Sequence, residues 1–414
     1  MKLEALRGKK ILILGYGKEG KATKQFLNAR FPDMVVEYAD KSTDPNYLNR
    51  QKDFDLVIKT PGIPKELVTV PYTTATNIFF ANCPNNIIGV TGTKGKSTTS
   101  SLIYHILKTA GIHTYLVGNI GTPALSLLLE TIEKDAVIVM ELSSYQLDDI
   151  QYSPHICVVL NLFPEHMNYH GSEDKYYAAK KNMLAHVQKE DYFFYNPCYP
   201  ELISWAADTN CISKPFLPCI IPLEDKALPL IGGHNKQNIQ ATLCVTDLFN
   251  IPQADVVRGL QSFQSLPHRL QNLGVFNGIT FYDDAISTTP QSTLAALEAI
   301  PGVDTLLLGG QDRGYDFSAL VDDIKKRNIH NLVLFPDSGS AIKKVIQDKG
   351  LTINTLETRD MKEAVQFAFS HSKQGSVCLL STASPSYSIW KNFEEKGDLF
   401  KLYVQSYGKK QDNT

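Results

Sequence analysis

Gly92-Thr93-Lys94-Gly95-Lys96-Ser97-Thr98 follows an apolar run at residues 87–90 and opens a helical pattern at 96–110. A strand, a glycine-rich turn, Lys-Ser and then a helix form an arrangement that grips nucleotide phosphates. Glycines let backbone N–H groups close around the anion, and the helix N-terminus adds a favourable dipole. Lys96 supplies a point charge, and Ser97 can hold Mg²⁺. The common phosphate-loop pattern has four residues between its first glycine and Gly-Lys. Here Thr93 and Lys94 alone separate Gly92 from Gly95. A turn that merely caps a helix is the plainer reading. Gly-Lys-Ser-Thr directly behind an apolar strand weighs against it.

A second glycine motif, Gly15-Tyr16-Gly17-Lys18-Glu19-Gly20, also lies between a strand pattern and a helix pattern. Asp40 comes 20 residues after Gly20, at the end of the next strand. That spacing matches a dinucleotide fingerprint and by itself suggests an NAD-dependent oxidoreductase. A generic βα turn is the bland alternative, and a different nucleotide fits the same frame.

Three further groups have chemistry to offer. Glu141 ends a buried strand pattern in Glu141-Leu142-Ser143-Ser144-Tyr145-Gln146-Leu147, where ligands of α/β sheets bind. His166 and His170 have the i,i+4 spacing of a zinc pair, but Pro164 and Gly171 argue against a helix there, and no third ligand is evident. His170 therefore reads as a surface polar residue. Lys180, in Tyr177-Ala178-Ala179-Lys180-Lys181, reads on its own as an ordinary helix-surface lysine.

These groups need a frame. Short apolar runs alternate with helical stretches. Strands are expected at 10–14, 35–38, 56–58, 87–90, 136–141, 156–161, 279–284, 305–308, 331–335 and 376–380, and helices at 21–30, 96–110 and 173–189. The alternation predicts an α/β protein with mostly parallel sheets. The sequence turns polar at 76–86, and a helix pattern stops before Pro267, so segments 1–82, 83–265 and 266–414 are expected. The tail after Tyr407 is expected to be disordered. A net charge of −2 excludes a global basic field for nucleic acid. The first residues carry charge and no apolar run, so no secretory leader is expected. No apolar run is long enough to span a bilayer. The 7 cysteines are scattered without a Cys-x-x-Cys pair, which suits free thiols in a reducing cytoplasm.

The shortened loop, in Gly89-Val90-Thr91-Gly92-Thr93-Lys94-Gly95-Lys96-Ser97-Thr98, resembles the Mur ligases and the folylpolyglutamate synthetases, which use ATP to join a carboxylate to an amine. Matches run from Gly15 to Phe393. The resemblance is strongest to Mur ligases of the D-glutamate-adding type. It implies three domains: a Rossmann-like N-terminal domain, a central P-loop ATPase-like domain and a Rossmann-like C-terminal domain. It also implies an acyl phosphate made from UDP-N-acetylmuramoyl-L-alanine, attacked by glutamate. On this resemblance Gly17, Lys18, Glu19, Asp40, Lys41, Thr60, Pro61 and Gly62 hold the UDP substrate, with Asn119 of Gly118-Asn119-Ile120-Gly121 and Ser143. Glu141 binds Mg²⁺ and His166 contacts a second metal and the substrate. Lys180 is carbamylated and orients the metal. Asn235 and Asn238 contact adenine and are also plausible helix caps. Arg269 of Leu266-Pro267-His268-Arg269 reaches the phosphates and Asp284 the ribose. Thr288, Arg313, Ser386 and Phe393 receive the amino acid. A cytoplasmic monomer acting on small molecules, with no nucleic acid or membrane partner, is expected.

The match has departures. Many D-glutamate adders carry a lysine where this chain has Ile286, and Arg313 stands for the later lysine. Arg313 can still clamp a carboxylate. Losing a charge-assisted contact at 286 removes roughly 1.5–3 kcal/mol. The stereochemistry of the added glutamate is left open by these two positions.

Overall fold

The computed structural model describes residues 1–411. Its first sheet contains β1 (Ile11–Leu14), β2 (Val36–Ala39), β3 (Leu56–Lys59) and β4 (Tyr72–Thr74), in the order β2-β1-β3-β4. The second contains β5 (Asn86–Thr91), β6 (Thr114–Gly118), β7 (Val137–Glu141), β8 (Ile156–Val159), β9 (Tyr192–Tyr195) and β10 (Ile212–Pro215), in the order β10-β9-β8-β5-β7-β6. Both sheets are parallel throughout. The third contains β11 (Gln271–Phe276), β12 (Ile279–Asp283), β13 (Val303–Gly309), β14 (Asn331–Phe335), β15 (Asn354–Glu357) and β16 (Val377–Leu380), in the order β11-β12-β16-β13-β14-β15. There only β11 runs antiparallel, to β12.

Runs such as Ile11–Leu14 and Val137–Glu141 are buried along their whole length. Parallel strands require crossovers, and the crossover helices cover both faces, which is why such runs are continuous rather than alternating. Parallel direction also brings the loops after β5, β6 and β7 to one edge. In the ladders Glu141 pairs with Val90 on one side and with Gly118 on the other.

The chain forms two compact units. One is residues 1–228 with 234–263, and the other is 229–233 with 264–414. The first two sheets thus lie in one unit, and they share a core. Ile11, Ile13, Phe26 and Phe79 belong to the same buried cluster as Val117, Ile138, Met140 and Leu142. The stretch at 76–86, read from sequence as a polar break, is mostly the buried helix Ala75–Asn82. Its polarity has a structural use. Asn77 Nδ2 donates to Asp149 O at 3.0 Å, and Asn77 Oδ1 accepts from Gln151 N at 2.8 Å. One buried amide satisfies backbone groups of the next segment.

Other expectations are corrected. The helix expected over 173–189 stops at Lys181 and continues only as the turn Asn182–Leu184. The helix Phe393–Gln411 carries the chain past Tyr407, where disorder was expected. Residues 412–414 lie outside the described residues. Strands β4, β6, β9, β10, β11 and β15 are additions to the sequence reading. No helix among the described residues is long and apolar enough to cross a membrane.

Asn77→Ala should destabilise the first unit by about 1–3 kcal/mol, because the hydrogen bonds to Asp149 O and from Gln151 N are both lost, each worth about 0.5–1.5 kcal/mol. Urea unfolding followed by tryptophan fluorescence, compared with wild type, measures this.

Candidate active site

The loop after β5 is shaped by two glycines in the left-handed half of conformational space, Gly92 at φ 150° and Gly95 at φ 86°. A Cβ on Gly92 would sit 3.0 Å from Leu160 Cβ, and one on Gly95 would sit 2.4 Å from Asn238 Oδ1. Asn161 ties the loop from the next strand end. Its Oδ1 accepts from Lys94 N at 2.8 Å and its Nδ2 donates to Lys94 O at 3.0 Å. Thr93 Oγ1 donates to Phe163 O at 3.0 Å and accepts from Tyr176 OH at 3.1 Å. Lys96 folds back so that Nζ meets Gly92 O at 3.0 Å and Thr93 O at 2.9 Å. Lys94 pairs with Glu165.

Lys180 approaches the same loop from the helix Glu173–Lys181. It is 1% exposed, which removes the reading of a surface lysine. Its Nζ donates to Gly92 O at 2.8 Å and lies 4.8 Å from the centre of the Tyr176 ring. Burial, and then the neighbouring Lys96 charge, push its ammonium well below the usual lysine range. Both effects favour the neutral amine over the ammonium relative to an exposed lysine. The next residue, Lys181, is exposed and pairs with Asp208.

Glu141 is 1% exposed at the end of β7. Asn119 Nδ2 donates to its Oε1 at 3.0 Å, while Oε2 is buried with no protein partner. A buried carboxylate oxygen without a protein donor leaves an acceptor that a cation or a water can satisfy. His166 precedes the single turn Met167–His170, at φ 61°. Burial pushes its pKa down, against the raising effect of Glu165. His170, expected at the surface, is 6% exposed, and its Nε2 lies 3.0 Å from Ser144 Oγ. That turn points the two histidines to different partners, so they do not form a zinc pair.

A cleft of about 380 Å³ brings several of these groups together, with Glu141 reaching it through Asn119. Lys18, Glu19, Pro61, Lys96, Asn119, Ser143, His166 and Lys180 all line it, a size and mix usual for small-molecule sites. Sequence reasoning did not single out Gln146 and Tyr176, which line it too. Gln146 had a legible signal. Ser143 and Gln146 form a capping box, and Gln146 Nε2 then donates to Glu19 Oε2 at 3.2 Å. Burial raises the Glu19 carboxyl to about 7, against the lowering effect of that hydrogen bond. Asp40 is turned onto the glycine motif, accepting from Tyr16 N at 2.6 Å and from Ser42. Its pKa is lowered first by the Ser42 hydroxyl and then by the Tyr16 amide. Thr60 Oγ1 donates to Leu14 O at 2.9 Å and occupies the space a side chain at Gly15 would need. Gly17, Lys41 and Gly62 are exposed beside them.

Asn235 and Asn238 lie inside the helix Gly233–Thr246 rather than capping it. Asn238 Nδ2 donates to Asn235 Oδ1 at 3.0 Å, and Asn238 backs the phosphate loop at Gly95.

In the second unit, Asp284 is buried. Its carboxylate accepts from Ser287, from Ser381 Oγ at 2.8 Å and from Leu270 N at 3.2 Å, and burial raises it to about 7. Ser386 Oγ is buried without a partner. Phe393 meets His268 edge to face at 6.0 Å. Arg269 and Thr288 are half-buried, and Arg313 is exposed.

Comparison with known proteins gives a consistent picture. Residues 90–214 match the Mur ligase middle domain, and residues 268–383 match the Mur ligase glutamate ligase domain. The chain is 32% identical over 446 aligned positions to a UDP-N-acetylmuramoylalanine–D-glutamate ligase of Streptococcus agalactiae, covering 96% of this chain and 97% of that one. It is 34% identical to a UDP-N-acetylmuramoyl-L-alanine–L-glutamate ligase of Salinispora tropica, covering 98% and 99%. Among solved structures, MurF of Thermotoga maritima in complex with ADP aligns with a TM-score of 0.63 at 14% identity, over 96% of this chain and 95% of that one. MurC of the same organism aligns with a TM-score of 0.63 at 17% identity, over 97% and 100%.

Gly95→Ala should weaken nucleotide binding about tenfold or more. A left-handed alanine costs roughly 1–2 kcal/mol, and its methyl would press on Asn238. Titration with a fluorescent ATP analogue measures the loss. Thermal melting checks that the fold survives.

Proposed function

Because this chain belongs to the Mur ligase family and is an ATP-dependent ligase, we propose that it joins D-glutamate to UDP-N-acetylmuramoyl-L-alanine in peptidoglycan precursor synthesis. The observation that carries the reading is that the phosphate-loop lysine Lys96 and the buried Lys180 line one cleft with Asn119, whose amide holds the strand-end carboxylate Glu141. The NAD reading of the first glycine motif loses its support. Glu19 of that motif faces the same cleft as Lys96 and Lys180, which favours a substrate shared with the ATP site. The proposal includes three functional segments, 1–82, 83–265 and 266–414, acting as a monomer.

In this reading the UDP substrate lies along Gly17, Lys18, Glu19, Asp40, Lys41, Thr60, Pro61 and Gly62, with its L-alanine carboxylate toward Asn119, Ser143 and His166. Amides of residues 92–98 and Lys96 hold the ATP phosphates, Asn235 and Asn238 the adenine, Arg269 the phosphates, and Asp284 the ribose. The carboxylate attacks the γ-phosphorus and ADP leaves, giving an acyl phosphate. The amine of glutamate then attacks the acyl carbon, phosphate leaves, and the amine's surplus proton is released. Lys96 offsets charge on the transferring phosphoryl group. Thr288, Arg313, Ser386 and Phe393 bind and orient the amino acid.

Mg²⁺ fits the donors present. Glu141 offers a buried oxygen without a protein partner, Ser97 would supply a hydroxyl and His166 an imidazole. No cluster of three or more His, Cys, Asp or Glu occurs among the described residues, which suits an ion that keeps waters and phosphate oxygens as ligands. When bound, it would neutralise phosphate charge. Lys180 suits carbamylation. In its neutral form the amine can add to CO₂, forming an N–C bond and releasing a proton, and the resulting anion would replace a cation with a candidate metal ligand.

Position 286 carries the second reading, L-glutamate. Ile286 offers no charge where many D-glutamate adders have a lysine. Phosphate release from ATP with UDP-N-acetylmuramoyl-L-alanine and each glutamate enantiomer decides between them. D-glutamate is expected to be used at least about tenfold better, corresponding to about 1.4 kcal/mol of discrimination. The reverse preference selects the second reading, and indifference to the UDP substrate overturns both. Lys180→Ala is expected to lose most activity and to recover part of it with added acetate or formate. Full activity without them contradicts the carbamate.

A further inference from the structure

Lys396 lies in the first turns of the helix Phe393–Gln411 and has no solvent exposure. It reaches its place because Gly397 follows it. A Cβ at 397 would fall 2.1 Å from His268 Nδ1 and 2.8 Å from Asp283 Oδ2, so only glycine lets this helix close on the His268–Asp283 pair. Lys396 Nζ then donates to Thr382 Oγ1 at 2.6 Å. Asp283 and Asp284 provide opposite charge nearby.

Burial lowers the Lys396 pKa to about 7, against the raising effect of Asp283 and Asp284, and Nζ keeps protons to donate in either state. Thr382 Oγ1 accepts from it, and the single Thr382 proton is directed to carbonyls. Two are in reach, Ser287 O and Ser384 O, each at 3.1 Å. These belong to the two segments that carry Thr288 and Ser386. The turn between Thr382 and Ser384 is strained. Ala383 is fully buried at φ 55°, a conformation that a residue with a side chain holds only when its surroundings impose it.

We propose that Lys396 is a positioning residue for the amino-acid substrate: by orienting the Thr382 hydroxyl it holds the turn at Ala383 and keeps Thr288 and Ser386 in register with each other. The inference rests on the reading above, in which those two residues receive glutamate. It also gives Ile286 a context. A segment that lacks its own cation depends more on the placement of its remaining hydroxyls, and the buried Lys396 acts on that placement through Thr382.

The test is steady-state kinetics of the full-length enzyme with all three substrates, on Lys396→Met, Thr382→Val, Thr382→Ser and the double variant Lys396→Met/Thr382→Val. Lys396→Met and Thr382→Val should each raise KM for glutamate about tenfold, the worth of one buried hydrogen bond. KM for ATP and for the UDP substrate should stay within about twofold. Thr382→Ser should restore the wild-type KM for glutamate, and the double variant should be no worse than the poorer single one, as for two parts of one link. If Lys396→Met does not fold, the valine and serine variants at 382 read the same link. Equal changes in all three KM values, or a lowered melting temperature with KM for glutamate unchanged, overturn the proposal. A wild-type enzyme that uses another amino acid and not glutamate overturns the substrate reading and this inference with it. A wild type that uses glutamate alongside kinetically normal variants overturns the role of Lys396 alone.

Discussion

A lysine buried against a phosphate loop is the constraint around which the first unit is organised. Desolvating an ammonium is costly unless partners or proton loss relieve it. Here Gly92 O, Thr91 Oγ1 and the Tyr176 ring surround Lys180, while Lys96 lies close enough to disfavour a second positive charge. Much nearby structure follows from keeping that arrangement. Tyr176 holds Thr93, Thr93 holds Phe163, and Asn161 holds Lys94. The loop is thereby fastened to the strand end of β8 and to the helix Glu173–Lys181 before any ligand arrives. Preorganised backbone donors need no rearrangement when an anion binds.

The same economy joins the first two sheets. The first sheet is small, and one of its faces joins residues of the second in a single buried cluster, while the other packs on residues of its own segment. Polar links cross the seam as well. Lys59, fully buried, pairs with Asp149 at 3.1 Å, and Lys65 pairs with Asp148 at 3.1 Å. A buried pair adds little net stability over apolar packing, but breaking one side leaves an uncompensated charge. Such pairs disfavour a sliding or rotated seam. The cleft walls contributed by Glu19 and Gln146 keep their spacing for that reason.

How legible was this in the sequence? The central strands were, because a strand buried on both faces is written as an unbroken apolar run, as in Ile11–Leu14 or Val137–Glu141. Edge strands such as Tyr72–Thr74 and Ile212–Pro215 carry no such run and pass for loop. The helix Ala75–Asn82 was hidden because its asparagines serve backbone groups of other segments, as Asn77 does while itself buried, which composition alone scores as exposure. The glycine loop, Glu141 and His166 could be found because their residue types state their chemistry. Lys180 could not be separated from Lys181 by pattern, since only burial distinguishes them. His170 misled for a related reason: a buried histidine satisfied by a serine looks in sequence like any polar residue. The Lys396–Thr382 link joins residues 14 apart in sequence across a strained turn, and nothing in either motif announces it.

Three open sheets carry six edges, and every edge exposes backbone groups that another chain could extend. These edges are short or interrupted. The strand Val36–Ala39 carries Glu37, Tyr72–Thr74 has three residues, and Ile212–Pro215 ends on Lys214 and a proline. Thr122 folds back to bridge Val117 on the edge of β6, and a register shift between Asn272 and Gly274 interrupts β11. The last edge, Asn354–Glu357, is bounded by an asparagine and a glutamate. An architecture that must leave its sheets open, so that ligands can meet the strand ends, thus protects itself sideways. Self-association by strand addition is denied a long, flat template, and the protein can be crowded without polymerising through its own sheets.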